Sequence, residues 1–508
     1  MSSLFSNPEF LRYWRSQLRA NKLVSTAIVC LALSFTIGFF ALHGTRDLAG
    51  AGATLLRTAF ILQALVLAAG GGIACLNAIY SEKEQNTFDY QRITRLTAGE
   101  LALGKLFGAP LLMYFICLCL TPLTIYAAVI AHAHSSLILA AYIVLLVASV
   151  TFHTFTLLLS LLTVKGSQVF GIVLVLLVLG VASMDNANGL LRLHPLGPFE
   201  AVQYATAPTW QPLASLSSVF RQAYDSWLGE EFTDVFFGHR VDHFAVLVTI
   251  DLLLAGWFFL AIVRNIKKDP QQYEVYSPLQ FLGFALFLNF LFVGFYNANW
   301  STPADAQSVF LAFDLVIFFF LGVALLRSRE RMRSLVQTSG EPASNLWNSL
   351  WPAPVLMLGA LLASFLIVAR LNYSHPSLFD WSLGFAALRC LAFALWIVSN
   401  LQFLQCMNLR RGKHPLVMAV LYLSIYYVCA SFLLAAFGCF TVLRYMPVSS
   451  LFVPSAIFLL EPEMWGQGPA LWVAGFVIQL VLIGLFFYLQ GLRIRQLKSA
   501  LTGVYSKD

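Results

Sequence analysis

What most constrains this chain is a succession of apolar runs, about twelve of them, most of them near the roughly 20 residues that a helix needs to cross the hydrocarbon of a bilayer. They fall at 23–42, 55–80, 106–131, 137–163, 167–184 and 242–264, then at 278–297, 306–326, 352–370, 381–406, 414–439 and 470–491. Backbone N–H and C=O groups find no water in that medium, so only helices or a closed barrel satisfy them there. Barrel strands would alternate over about ten residues, whereas these runs are continuously apolar. Composition agrees: 59% of the 508 residues are hydrophobic and 11% are charged, against about 25% charged in a soluble domain. The chain reads as an all-α polytopic membrane protein.

Charge placement orients the spans. Loops on the cytoplasmic side of a membrane carry an excess of Lys and Arg. With the N-terminus inside, the inner segments hold most of the 31 basic residues, among them Arg12, Arg15, Arg19, Lys22, Arg92, Arg95, Arg327, Arg493 and Arg495. Twelve spans with both termini cytoplasmic fit that asymmetry. The net charge of +7 then follows from topology and contact with anionic lipid, and no nucleic-acid partner is called for.

The first 22 residues lack the short apolar core and cleavage site of a signal peptide. Asn7 can cap a helix and Pro8 suits its first position. Phe10, Leu11, Trp14 and Leu18 then share one face, with Arg12, Arg15, Arg19 and Lys22 in a neighbouring arc. This predicts an amphipathic helix over 1–22 lying in the cytoplasmic interface; an ordinary positive flank before the first span is the plainer alternative. The eight cysteines form no CxxC and no zinc spacing and lie in or beside spans, which predicts reduced packing residues and no metal site.

The layout repeats. The second span ends at a charged loop and the next opens around Pro110; the eighth ends at a charged loop and the next opens around Pro354. Each half places a long outer connection, 185–241 or 440–469, before its last span. This predicts two parallel six-span repeats, 23–265 and 278–508, joined by a cytoplasmic linker at 266–277.

The charged loop of the first half, Ser81 to Lys105, reads SEKEQNTFDYQRITRLTAGELALGK. Thr97 and Glu100 form a capping box that starts a helix at about residue 98. Upstream, Glu82 to Arg95 carries Phe88, Tyr90 and Ile93 among polar residues, enough for a short helix along the membrane surface. A helix, a turn and a capped helix joined to the third span would make a lever for a soluble partner.

This stretch resembles the permease subunits of ATP-binding-cassette exporters of the type-2 class, also called the type V exporter fold. In that family an acidic stretch, a Thr and a short helix precede a small-residue turn, then a Glu and a Gly-Lys that begin the third span. Glu82, Glu84, Thr87, Glu100, Gly104 and Lys105 match it, and NPEFLRYWRSQLR resembles the family's interfacial connecting helix. The resemblance covers 7–265 and fades beyond. It implies six spans per domain, re-entrant outer helices before the sixth, and a coupling helix that docks a separate ATPase subunit, two copies per complex. Phe88, Tyr90 and Arg92 join Glu82, Glu84, Thr87, Glu100 and Lys105 as the candidates for coupling to that ATPase. ATP and magnesium would sit on the partner chain, with no cofactor on this one. Further membrane or periplasmic subunits and a bacterial inner-membrane location are in keeping with that family. In the second half, Arg329, Arg331, Arg333 and Glu341 occupy the corresponding loop, which is basic, lacks the acidic-Thr signature and is interrupted by Gly340 and Pro342.

Gly99 to Lys105 also satisfies GxxxxGK, but Leu106 stands where a phosphate loop needs Ser or Thr, and no strand precedes it. No soluble stretch is long enough for an ATPase domain, so the chain is expected to be a transport subunit and not an enzyme.

Ionisable residues inside spans are costly and mark function or pairing. His153, Asp251, Asp314 and Arg389 are the candidates for an intramembrane polar path; interhelical bonding that fixes the bundle is the structural alternative. Gln63, Asn289 and Gln479 are weaker ones. Gly70-Gly71-Gly72 allows close helix approach or a flexible break. Besides the exporter, the residues leave open a proton-driven secondary carrier using Asp251, Asp314 or His153, and a non-transporting docking component of a larger complex.

Overall fold

The computed structural model describes residues 6–43, 48–133, 135–162, 233–237, 239–269, 273–294, 326, 329, 332–333, 383–410, 415–436 and 469–505. It divides into two units, Met1–Tyr273 and Glu274–Asp508.

The first unit opens with α1 (Pro8–Gln17), followed by α2 (Ala20–His43) and α3 (Leu48–Leu65). A π turn, Val66–Gly70, leads without a break into α4 (Gly71–Glu84). Then come α5 (Phe88–Arg92), α6 (Ala98–Gly108), α7 (Leu111–Ile130) and α8 (Ser135–Leu162). An antiparallel hairpin, β1 (Thr233–Phe236) and β2 (His239–Asp242), precedes α9 (His243–Asn265). The second unit contributes α10 (Pro278–Gly294), α11 (Leu383–Asn408), α12 (Pro415–Ala436) and α13 (Pro469–Tyr505).

Among the described residues, six helical stretches are long and apolar enough to cross a membrane: Ala20–Ala41, Leu48–Glu84, Ala98–Ile130, Ser135–Leu162, His243–Asn265 and Val477–Leu497. The chain is a helical polytopic membrane protein to that extent. The runs at 167–184 and 352–370 lie outside the described residues, as do 306–325 of the run at 306–326 and Pro354. The core of the first unit forms where α3, α7 and α8 meet, around Leu56, Phe60, Leu67, Leu123, Val144 and Leu145. The first span, α2, is different: Ile28, Val29, Phe35 and Phe40 are exposed, the surface expected of a helix against acyl chains.

Of the outer connection 185–241, where the resemblance implies re-entrant helices, residues 185–232 lie outside the described residues; its described end is a hairpin with Thr233 opposite Asp242 and Phe236 opposite His239. The β-branched and aromatic residues of TDVF and the left-handed backbone at Phe237 (φ 50°) favour a strand pair over a helix. One expectation is corrected, the placement of Glu82. This residue lies in the last turn of the second span and not on the surface helix, because α4 runs on to Glu84. That helix ends in a Schellman motif: Asn86 takes a left-handed backbone with φ 56°, Thr87 N–H donates to Glu82 O at 2.8 Å, and Asn86 N–H to Lys83 O at 3.2 Å. The surface helix shrinks to five residues, Phe88–Arg92.

In the second unit α11 packs on α13. Gln490 Nε2 donates to Gln402 O at 3.0 Å and to Gln402 Oε1 at 2.5 Å, and Arg493 donates to Cys406 O. Met332 is enclosed by Leu409, Ile494 and Leu497, at the ends of those two helices.

Candidate functional site

Three helix ends converge where the second span stops and the third begins. Each is set by its own sequence. Asn7 caps α1, its Oδ1 accepting from Glu9 N–H at 2.9 Å. Thr97 caps α6 with both bonds of the capping box: Glu100 N–H donates to Thr97 Oγ1 at 3.2 Å, and Thr97 N–H to Glu100 Oε2 at 2.9 Å. The Schellman turn at Asn86 stops α4. Asn7 Nδ2 donates to Glu100 O at 2.7 Å, so the cap of α1 also pins the first turn of α6.

Glycines let α1 lie against α6. A Cβ on Gly104 would stand 2.7 Å from Glu9 Cβ, and one on Gly108 would stand 2.8 Å from Tyr13 Cδ2. Small residues four apart form a strip that accepts a neighbouring helix. The break between α6 and α7 is covered from the same side. Pro110 interrupts the ladder there, and the Gln17 amide satisfies it, donating to Ala109 O at 3.0 Å and accepting from Leu112 N–H at 3.1 Å.

This packing assembles a knot of four charges. Lys105 Nζ lies 2.9 Å from Glu9 Oε1 and 2.6 Å from Glu82 Oε2. Arg12 Nη2 reaches the same two carboxylates, at 2.7 Å from Glu9 Oε1 and 2.5 Å from Glu82 Oε1. Two cations and two anions cancel. Lys105 is fully buried, Glu82 and Glu9 nearly so, while the Arg12 side chain is 48% exposed. A buried ammonium is tolerable only when its partners are in place, and removing one partner of such a pair costs about 3–5 kcal/mol. Burial disfavours the Arg12 cation, but the Glu82 hydrogen bond and the Glu9 and Glu82 charges outweigh it and hold the guanidinium above its ordinary value. Burial, reinforced by Glu82 and Glu9, pushes the Tyr13 phenol up as well.

The short helix α5 is fastened on both sides. Gln91 Nε2 donates to Glu82 Oε1 at 2.8 Å, joining it to the knot. Arg92 pairs with Asp89 at 2.6 Å and with Asp269, and Lys267 Nζ donates to Thr94 O at 2.9 Å, joining it to the tail of α9. Phe88 is buried beneath it, while Tyr90 is 72% and Ile93 82% exposed. Glu84 and Thr87 are exposed beside them. At the far side of α4, Lys83 Nζ donates to Ser160 O at 3.3 Å and to Leu161 O. There it faces the last carbonyls of α8, where a cation complements the helix dipole.

The structure thus joins Glu82 to Lys105, Glu100 to Thr97 and Arg92 to Asp269, and turns Glu84, Thr87 and Tyr90 outward. Glu9, Gln17, Gln91 and Asp269 were not singled out from the sequence. The sequence signals present are Glu9, a lone acid on a basic helix, and separately Gly104 and Gly108, small residues four apart; their contact is seen only in the packing. Of the second loop, Arg329 is half-buried and Arg333 exposed; Arg331 and Glu341 lie outside the described residues.

Of the intramembrane candidates, His153 and Asp251 have separate hydrogen-bonding surroundings among the described residues. His153 Nε2 lies 2.8 Å from Leu67 O, and Tyr114 Oη lies 3.1 Å from His153 Nδ1. Asp251 is buried on α9, where Thr151 Oγ1 donates to its backbone carbonyl at 2.9 Å. Neither of its carboxylate oxygens has a hydrogen-bond partner among the described residues. Asp314 lies outside the described residues, and Arg389 falls on α11. Gln63 bridges helices, donating to Cys117 O at 3.3 Å and to Tyr142 Oη at 3.2 Å.

Set against family models, curated proteins and solved structures, the chain matches none of them.

Proposed function

We propose that this chain is the membrane-spanning permease subunit of an ATP-driven ABC exporter, with about twelve spans in two parallel six-helix repeats, and that a separate ATPase docks on α5. ATP and magnesium belong to that partner. The observation that carries this reading is the fastening of α5: a five-residue helix whose outward face is open at Tyr90 and Ile93 is tied by Gln91 to the charged knot and by Arg92 to the tail after α9. Force applied there reaches the second span through Glu82, the third through Lys105, the interfacial helix through Arg12 and the sixth through Asp269. A partner drives such a change only if its states bind the two membrane conformations with different affinity. On this reading both termini are cytoplasmic and the protein sits in a bacterial inner membrane.

The test is affinity purification of the tagged full chain in mild detergent, with Tyr90→Asp/Ile93→Asp and Thr87→Pro variants alongside. Co-purification of a P-loop ATPase with the native chain and its loss from folded variants supports the reading. An ATPase retained equally by all three, or found with none, contradicts it.

A second reading has one observation in its favour. A carboxylate enclosed in a span without a partner among the described residues, Asp251, is a group that a proton-driven carrier would use. Transport abolished by an uncoupler in the absence of any ATPase would support it.

A further inference from the structure

The π turn at Val66–Gly70 sits within the second span. Its bonding is divided at the end: Gly71 N–H is shared among the carbonyls of Val66, Leu67 and Ala68. One of those oxygens takes an outside donor. His153 Nε2 approaches Leu67 O at 2.8 Å, and a carbonyl only accepts, so Nε2 carries the proton. Nδ1 then faces the Tyr114 hydroxyl at 3.1 Å, which fixes the plane of the ring. The three glycines that follow fit this arrangement. A Cβ on Gly70 would meet Met113 Sδ at 2.9 Å, one on Gly71 would meet His153 Nε2 at 2.2 Å, and one on Gly72 would meet Phe152 Cε1 at 2.8 Å. The close-packing reading of the triplet is thus the one the structure realises, with Gly71 making room for the imidazole.

The consequence lies twelve residues further on. A π turn bonds i to i+5 where an α turn bonds i to i+4, so it holds one residue more. Closing it to an α turn would rotate everything after it by about one residue, roughly 100°. The face of α4 that points inward would change. Cys75, now fully enclosed with Sγ 3.9 Å from Leu106 O, would turn away, and so would Glu82.

We infer that His153, oriented by Tyr114, is a positioning residue for the charged knot: by holding the π turn it sets the register in which Glu82 faces Arg12 and Lys105. The inference concerns the second span itself and stands whether or not an ATPase docks on α5.

The full-length protein in nanodiscs tests it, with His153→Leu as the main variant. Amide exchange at 66–72 is expected to rise by about tenfold or more, since the turn loses its outside donor, and Cys75 is expected to become alkylated by a membrane-permeant maleimide. The register claim has its own readout. In the native chain Glu82→Gln lowers the melting temperature; in the His153→Leu background that effect should fall to less than half, because Glu82 has already left the knot. A local packing defect would leave the Glu82→Gln effect whole, and that result, or unchanged exchange with Cys75 still shielded, overturns the inference. Should His153→Leu fail to fold, Tyr114→Phe carries the test, since it keeps the Nε2 donor and frees only the ring. A rise of about threefold in exchange at 66–72 supports the inference, and unchanged exchange overturns it.

Discussion

The first unit buries polar groups in two places and handles them differently. Where the second span ends and the third begins it gathers four charges, two of each sign, and each carboxylate contacts both cations. In the middle of the same span it uses one imidazole, one hydroxyl and one backbone carbonyl. The charged arrangement has alternatives: Arg12 is half-exposed and can exchange partners with water, while Lys105 is locked inside. The mid-span arrangement has none, because each atom has a single outside partner. A region built to move under load suits the first design, and a region that keeps register suits the second. Asp251 belongs to neither group, since its carboxylate has no hydrogen-bond partner among the described residues.

That contrast can be broken by substitution. The largest effect is expected from Glu82→Gln, which leaves Lys105 inside with one carboxylate shared with Arg12. Thermal unfolding in nanodiscs should show a loss of about 3 kcal/mol, the low end for a broken buried pair because Glu9 remains. Adding Lys105→Met should restore most of it, since an apolar replacement of a buried pair is often neutral. If the double variant is as unstable as the single, the charges are not acting as a unit.

Next in size is Gly104→Ala, whose Cβ has no room beside Glu9. Overpacking of this kind costs about 1–3 kcal/mol. Gly99, on the same helix, has nothing within 4 Å of an added Cβ, so Gly99→Ala should be neutral or stabilising by up to about 1 kcal/mol. Equal effects at the two positions would mean that α1 does not pack on α6. Thr97→Ala removes the capping box and should cost about 1 kcal/mol. The smallest effect is expected at Arg92→Ala. Its partners Asp89 and Asp269 are mostly exposed, and such pairs are worth about 0–1 kcal/mol. Its influence should show in coupling to an ATPase before it shows in stability.

Much of the junction was legible because caps are local. Asn7, Thr97 and Glu100 act within three or four residues, and the sequence alone predicts their bonds. The pairing of Glu82 with Lys105 was not, because it depends on where α4 ends. That end is decided by Asn86 adopting a left-handed backbone, and with Glu82 assigned to a surface helix no pairing with the third span is suggested. Glu9 escaped notice for a related reason: only tertiary packing on Gly104 shows that an acid on an interfacial helix points inward. The π turn left two separate signals, a glycine triplet and a histidine in a span, and nothing in their spacing joins them. In the hairpin the strand pattern of TDVF is present in the sequence, but four residues per strand are too few to stand out in a long connection.

The account rests on α5 being the place where a soluble ATPase engages the membrane helices. A cryo-EM structure of the assembly, purified from native membranes through this chain, tests that directly. The account predicts Tyr90 and Ile93 buried in a groove of a nucleotide-binding subunit, with the Glu82–Lys105 contact directly behind them. Finding α5 bare in an assembly that contains an ATPase, or on the opposite side of the membrane from it, would contradict the account.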